Sequence, residues 1–263
     1  MATYTHGHAA SVLRSHSSRT VDNSAAYLAP HLDPSARLLD IGAGPGTITL
    51  DFAVRVEQVT ASEITEDVLA LARGLAAERG ATNVDFAVED VHQLSFADAS
   101  FDITHAHQVL QHVADPVAAL REMRRVTRPG GIVAARDADY SAFAWWPQVP
   151  ELDEWMQLYQ DAARANQGEP DAGRRLLSWA RAAGFKEVTV SASVWCYATP
   201  EERQWWGGMW ADRIVDSALT RQLLEQGRAN EKQLRRVSDA WRRWAAADDG
   251  WFVVPHGEVL CRV

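Results

Sequence analysis

With 263 residues, 47% of them hydrophobic and 23% charged, the chain has room for one α/β domain with an insertion or a small cap. Its formal net charge of −9 argues against general affinity for nucleic acid or an anionic membrane surface, since both need clustered Lys and Arg. The nearest thing to a basic patch, Arg235, Arg236, Arg242 and Arg243, sits at helical spacing among apolar residues and reads as a solvated helix face.

In chain order, the segment from Met1 to His16 is polar and rich in His and Ser, without the apolar run of a secretory signal. No stretch approaches the ~20 apolar residues of a membrane span. The expectation is a cytoplasmic protein that is a monomer or homodimer. Helical pieces between Ser11 and Leu32 lead to a strand at Arg37-Leu38-Leu39-Asp40-Ile41, a glycine loop, and a second strand from Val56 to Ala61. Thr65 is placed to cap a helix carrying Val68, Leu71, Ala72 and Leu75 on one face, which Gly80 ends. Val84, Phe86 and Val88 alternate as a third strand, and Phe101 to Ala106 form a fourth. Asp115-Pro116 opens a further helix, and Ile132 to Arg136 form a fifth strand. Strands alternating with helices in this way predict βαβ units and a parallel, doubly wound sheet.

The second half reads differently. Amphipathic helices are expected around Leu152 to Ala162, from Arg174 to Ala183, after the capping box at Thr199 to Glu202, and after Asn230. Phe185 to Tyr197 and Trp251 to Arg262 read as two late strands. The division is therefore a cap at 1–35, a core at 36–138, and helical insertions with the last strands at 139–263. Cys196 and Cys261 match no metal or redox spacing and are expected to be reduced, although both lie in late strands that should be neighbours.

The chemistry begins at Asp40-Ile41-Gly42-Ala43-Gly44-Pro45-Gly46-Thr47. Glycines let backbone approach a ligand closely. A phosphate-binding Walker loop needs Gly-Lys-Ser/Thr, and no Lys follows Gly46. A dinucleotide loop needs its third glycine one residue later than Gly46, which leaves a nicotinamide-dependent oxidoreductase as the rival reading. Glu63, after the second strand, can accept from both hydroxyls of a ribose. Asp90, after the third, can accept from an adenine amino group, with Val91 as an apolar neighbour.

In combination with Arg125-Val126-Thr127-Arg128-Pro129-Gly130-Gly131, these features make Leu38 to Gly131 resemble the class I S-adenosylmethionine-dependent methyltransferases, in particular the quinone-biosynthesis branch. The resemblance implies a seven-stranded, mostly parallel Rossmann-like sheet whose last strand is antiparallel and inserted between two others. It further implies S-adenosyl-L-methionine as cofactor, S-adenosyl-L-homocysteine as product and a small-molecule methyl acceptor. On that resemblance Gly42, Ala43, Gly44 and Gly46, between Asp40 and Thr47, wrap the methionine and sugar. Glu63 holds the ribose with Ile64 beside the adenine, and Asp90 and Val91 hold the adenine. His107 lies under the cofactor, where the family often has Asn or Ser.

Arg19 suits the methionine carboxylate, Arg14 being the alternative in a cap that also carries Tyr4, His6, His8 and His16. A hydroxyl or acidic carbon acceptor would gain from a general base, and His107 or His112 is placed for it, with His105 on the same strand face as His107. Asp139 and Tyr140, after the fifth strand, are the remaining catalytic candidates. Tyr140, Trp145 and Trp146 are candidate substrate contacts, since ligands of open α/β sheets bind at the carboxyl ends of the strands. Trp205, Trp206 and Trp210 come after them. No metal constellation is read. A binding module without catalysis is the alternative from another class, with the helical insertions as its interface.

Overall fold

Leu38 to Ile41 are apolar apart from Asp40, and a strand of that kind is stable only between two covered faces. In the computed structural model, which describes residues 18–263, β1 (Arg37–Ile41) is buried at four of its five positions. It lies between β2 (Gln58–Glu63) and β4 (Phe101–His107), with β3 (Val84–Val88) beyond β2 and β5 (Thr127–Ala138) beyond β4. All four pairings are parallel. The strand order therefore reverses at β1, and the crevice at its carboxyl end is where an open sheet of this type takes a ligand.

The antiparallel strand β8 (Trp251–Arg262) follows β5, and β7 (Glu187–Tyr197) pairs along its far edge. This is the inserted antiparallel strand that the resemblance implies. The sheet has eight strands rather than seven. The extra one, β6 (Ala144–Trp146), lies in a segment expected to be helical. It pairs with the start of β8, where Phe252 is opposite both Trp145 and Tyr197. Trp145 finds apolar cover there by stacking on Phe252, which outweighs the helical surroundings.

The two faces of the sheet bury alternate residues of the same strands. Leu38, Ile103 and Ala134 pack with Val21, Leu28, Ile48 and Phe52 on one face. Leu39, Ala106 and Val133 pack with Leu120, Met123 and Leu176 on the other. Asp115 caps the helix Pro116–Val126 by accepting from Ala118 N at 2.9 Å. Thr65 holds the N-cap position of the helix Glu66–Arg79 without a side-chain bond, and Gly80 ends that helix with φ +64°, a conformation glycine adopts at little cost.

A third apolar cluster joins the helices Pro150–Ala165, Pro200–Arg213, Ala218–Glu225 and Glu231–Ala246 to β8. Phe252 is its hub, with the rings of Trp145, Trp206, Trp241 and Trp244 at 5.5–5.8 Å. Most of the tryptophan-rich second half thus packs upon itself. The four arginines of the helix Glu231–Ala246 are exposed and paired with Glu231, Glu154, Asp212 and Glu151, as a solvated face should be.

Cys196 faces Val253 and Cys261 faces Val188 across the β7–β8 ladder. The two strands are neighbours and both thiols are free, as expected, but the cysteines lie at different positions of the ladder and do not face each other. Among the described residues no helix is long and apolar enough to cross a membrane. Tyr4, His6, His8, Arg14 and His16, in the first part of the expected cap, lie outside the described residues.

Candidate functional site at the carboxyl ends of the parallel strands

The glycine loop leaves β1 with Gly42, Gly44 and Gly46 all at positive φ, between +57° and +85°. Two of the three are also sterically obligatory. A Cβ on Gly42 would come within 2.5 Å of Val109 Cγ2, and one on Gly46 within 2.9 Å of Ala72 Cβ. Gly42 N and Ala43 N donate to Ser62 O at 2.9 and 3.1 Å, which ties the loop to β2.

A cavity of about 260 Å³ opens above this loop, lined by the ends of β1, β2, β3 and β4. Gly42, Ala43, Gly44, Thr47, Glu63, Ile64, Asp90, Val91, His107, His112 and Arg19 all line it, as does Asp40. Twelve residues separated by up to 93 positions in sequence thus converge on one space.

Each acid is held in its own way. Glu63 accepts from Gly44 N at 2.8 Å and from Ile64 N at 3.2 Å, so the carboxylate clasps the glycine loop. Burial pushes its pKa up, and those two amides pull it down. Asp90 accepts from His92 N at 2.9 Å and lies 2.8 Å from His92 Nδ1, both through Oδ1. The His92 amide, against a smaller burial effect, holds the Asp90 carboxyl below its ordinary value, so Asp90 is ionised at neutral pH.

Asp40 behaves otherwise than expected. Thr49 Oγ1 donates to its Oδ2 at 2.6 Å, and His105 Nδ1 is 2.8 Å from its Oδ1. Both oxygens are engaged beneath the loop, so Asp40 is a strut between β1, β4 and the helix Thr47–Ala53. His105, fully buried against Phe52 and absent from the cavity wall, reaches no acceptor as a base.

His107 and His112 do reach the cavity, in surroundings that disfavour a charged imidazole. Burial first, then the guanidinium groups of Arg19 and Arg136, push the pKa of His107 well below its ordinary value. Burial and Arg19 push His112 down to about 3. Both rings are neutral at neutral pH and are weaker proton acceptors than free imidazole.

Gly46, expected against the cofactor, turns the loop over Ala72 without lining the cavity, and four further expected residues stand elsewhere. Asp139 makes a bidentate pair with Arg174, both contacts at 2.6 Å. Tyr140 is stacked between Phe143 and Tyr159 at 4.5 and 4.1 Å. Trp145 stacks on Phe252. Trp146 is 53% exposed and donates to Asp249. None of the four lines the cavity, because the chain turns at Asp139 into the helical cap, whose aromatic core claims these rings.

Sequence reasoning missed Gln108, which accepts from Arg19 at 2.7 Å and lies 2.8 Å from His256 Nε2. It missed Arg136 as well, buried beneath the Trp195 ring at 4.8 Å with its Nε on Glu258 and Ser193. His92 could have been found from its place two residues after Asp90. Nothing local marks Gln108 or Arg136, whose partners are some 60 to 150 residues distant.

Asp137 is a further buried group, accepting from Gln111 N at 3.0 Å, with a pKa that burial pushes up to about 8. The unfolded chain ionises near pH 4 while the folded chain stays protonated, so stability falls as pH rises from there to about 8. The isosteric change Asp137→Asn removes this slope. Denaturant unfolding at a series of pH values should find the variant ahead of wild type by several kcal/mol at about pH 8 and level with it near pH 4. A wild-type profile that is flat between those values would contradict the assignment.

Comparison with known proteins agrees with this geometry. A family model described as a methyltransferase domain matches residues 32–204. An uncharacterized methyltransferase of Schizosaccharomyces pombe is 34% identical, over 98% of this chain and 95% of its own length. A ubiquinone/menaquinone biosynthesis C-methyltransferase of Bdellovibrio bacteriovorus is 41% identical over 37% of this chain and 42% of its own length. Among solved structures, the YcgJ protein of Bacillus subtilis shares the fold with a TM-score of 0.60 and 20% identity, covering 90% of this chain and 97% of that one.

Proposed function

The chain belongs to the S-adenosylmethionine-dependent methyltransferases, and from that premise we propose that it methylates a small organic acceptor seated at the carboxyl ends of β4 and β5, against His107, His112 and Arg19. The observation that carries this reading is the pair of carboxylates, Glu63 and Asp90, at the ends of adjacent strands opposite a loop whose Gly42 and Gly46 have no room for a Cβ.

The residues fit S-adenosylmethionine. Glu63 is the acceptor for the ribose hydroxyls, and Asp90, both of whose contacts fall on Oδ1, keeps Oδ2 for the adenine amino group. Ile64 and Val91 are apolar walls for the base. Arg19, fixed by Gln108, supplies positive charge for the methionine carboxylate. When bound, the cofactor supplies a methyl group on a positively charged sulfur, already a good leaving group. The protein's task is then placement of the acceptor in line with that methyl. His107, buried, and His112, half-buried, are both neutral and orient the acceptor in the crevice.

The test is transfer of label from methyl-labelled S-adenosylmethionine to a panel of phenols, enols, amines and carboxylic acids, read by mass spectrometry. A labelled product supports the proposal. Cofactor binding without turnover on any member favours a binding module. A nicotinamide dinucleotide that titrates where S-adenosylhomocysteine does not favours the oxidoreductase.

A further inference from the structure

The glutamines that flank the cavity decide which nitrogen of two imidazoles carries the proton. Ala138 N donates to Gln111 Oε1 at 3.3 Å. A backbone amide can only donate, so this contact identifies the carbonyl end of the Gln111 side chain. The other end is the NH₂ group, 2.9 Å from His112 Nε2. It too can only donate, so His112 Nε2 holds a lone pair. A neutral imidazole with its lone pair on Nε2 has its hydrogen on Nδ1.

Gln108 repeats the device. The guanidinium of Arg19 donates to Gln108 Oε1 at 2.7 Å, which turns the NH₂ group toward His256 Nε2 at 2.8 Å. Two amides, each oriented by an obligate donor, thus impose the same tautomer on two rings. Gln111 is itself anchored, since its backbone N donates to Asp137 and its backbone O accepts from Glu169 N.

We propose that Gln111 is a positioning residue that holds His112 as the Nδ1–H tautomer. His112 then meets the acceptor as a hydrogen-bond donor rather than as a base, and the acceptor presents an oxygen lone pair to it, on an enolate, a phenolate or a carboxylate. The second half of the proposal rests on the methyltransferase reading above.

The surroundings agree with this role. Among the described residues, Arg19 is a charged side chain whose field reaches His112, and it repels a second proton on the ring. Asp137 behind Gln111 stays protonated up to about pH 8 and offers no counter-charge to an imidazolium. The same positive field favours an acceptor that arrives ionised, since fixed donors and charges act most strongly on a developing or existing oxyanion. Such an acceptor needs no base, because its nucleophilic lone pair is already exposed.

The test begins with the wild-type protein, labelled with ¹⁵N at histidine and saturated with S-adenosylhomocysteine. Long-range ¹H–¹⁵N correlation separates the two ring nitrogens, and His112→Asn assigns the signals. The expected result is a proton-bearing Nδ1 and a lone-pair Nε2, with no titration between about pH 5 and 8. In Gln111→Glu, where both side-chain oxygens accept, the proton is expected to move to Nε2 or the ring to become doubly protonated. Calorimetric affinity for S-adenosylhomocysteine is expected to stay at the wild-type value.

A proton on Nε2 in the wild type, or titration within that window, would overturn the proposal. In the acceptor panel, methylation of phenols or enols but not of aliphatic alcohols is expected. Methylation of an unactivated alcohol, which needs a base, would contradict the donor role. Failure of the wild type to bind S-adenosylhomocysteine, with the Nδ1–H tautomer intact, would remove the methyltransferase reading alone and leave the tautomer assignment standing.

Discussion

Replacing Glu63 by alanine is expected to weaken binding of S-adenosylhomocysteine by about a hundredfold, or ~3 kcal/mol, because hydrogen bonds from two ribose hydroxyls to a carboxylate are lost together. The change also frees Gly44 N and Ile64 N, which the carboxylate holds at 2.8 and 3.2 Å, so the loop loses a clasp as well as the ligand a partner. Glu63→Gln keeps one acceptor oxygen and is expected to fall between, about tenfold down. Calorimetry measures both. Thermal unfolding of the ligand-free variants measures the lost clasp separately, and because Glu63 lies at the end of β2 outside the apolar clusters only a small drop is expected. An unchanged affinity in Glu63→Ala would show that the ribose lies elsewhere.

The largest expected loss of stability belongs to Gly257→Ala. Gly257 lies mid-strand in β8, opposite Asp137 of β5 and Ala192 of β7. A Cβ there would overlap the backbone carbonyl of Gly173, and one on Gly173 would come within 2.8 Å of both Asp137 O and Gly257 N. The obstructing atoms are backbone on both sides, so no side chain can swing away. Relief requires β8 or the turn at Gly173 to move, and β8 is held on both edges. Overpacking of this kind costs about 3 kcal/mol or more, which for a domain of this size lowers the melting temperature by roughly 10 °C. Gly208→Ala is the control. A Cβ at Gly208 meets nothing within 4 Å inside the helix Pro200–Arg213, so that variant should be as stable as wild type or slightly more so. Equal melting temperatures for Gly257→Ala and wild type would mean that the Gly173–Gly257 approach is not tight in solution.

The contrast between the two halves of the chain shows what could be read in advance. The cofactor half follows local rules. An apolar strand, a glycine loop and an acid after each of the next two strands occupy fixed places in a βαβ succession, and all of them arrive at the cavity. The acceptor half depends on pairings between distant residues. Asp139 reads as a free acid at a strand end, yet Arg174 takes both of its oxygens. Trp145 and Trp146 read as a lid, yet Phe252, more than a hundred residues later, draws β6 into the sheet. Asp40 belongs to the loop in sequence but to His105 and Thr49 in space. Histidine is a plausible base by residue type alone, whereas the depressed pKa values of His107 and His112 come from burial and from arginines that no spacing rule connects to them.

Gln111 illustrates the same limit in reverse. Its amide matters because Ala138 on β5 orients one end and His112 receives the other. That relation exists only once β4 and β5 are paired, so it is invisible in a linear reading.

The most direct test of the central claim is a crystal structure of the protein with S-adenosylhomocysteine. The expected result places the adenine amino group within hydrogen-bond distance of Asp90, the ribose hydroxyls on Glu63, and the sulfur on the side of the cavity lined by His107 and His112. An adenosine moiety bound away from Glu63 and Asp90, or no ligand in the crevice above Gly42 to Gly46 at saturating concentration, would contradict it.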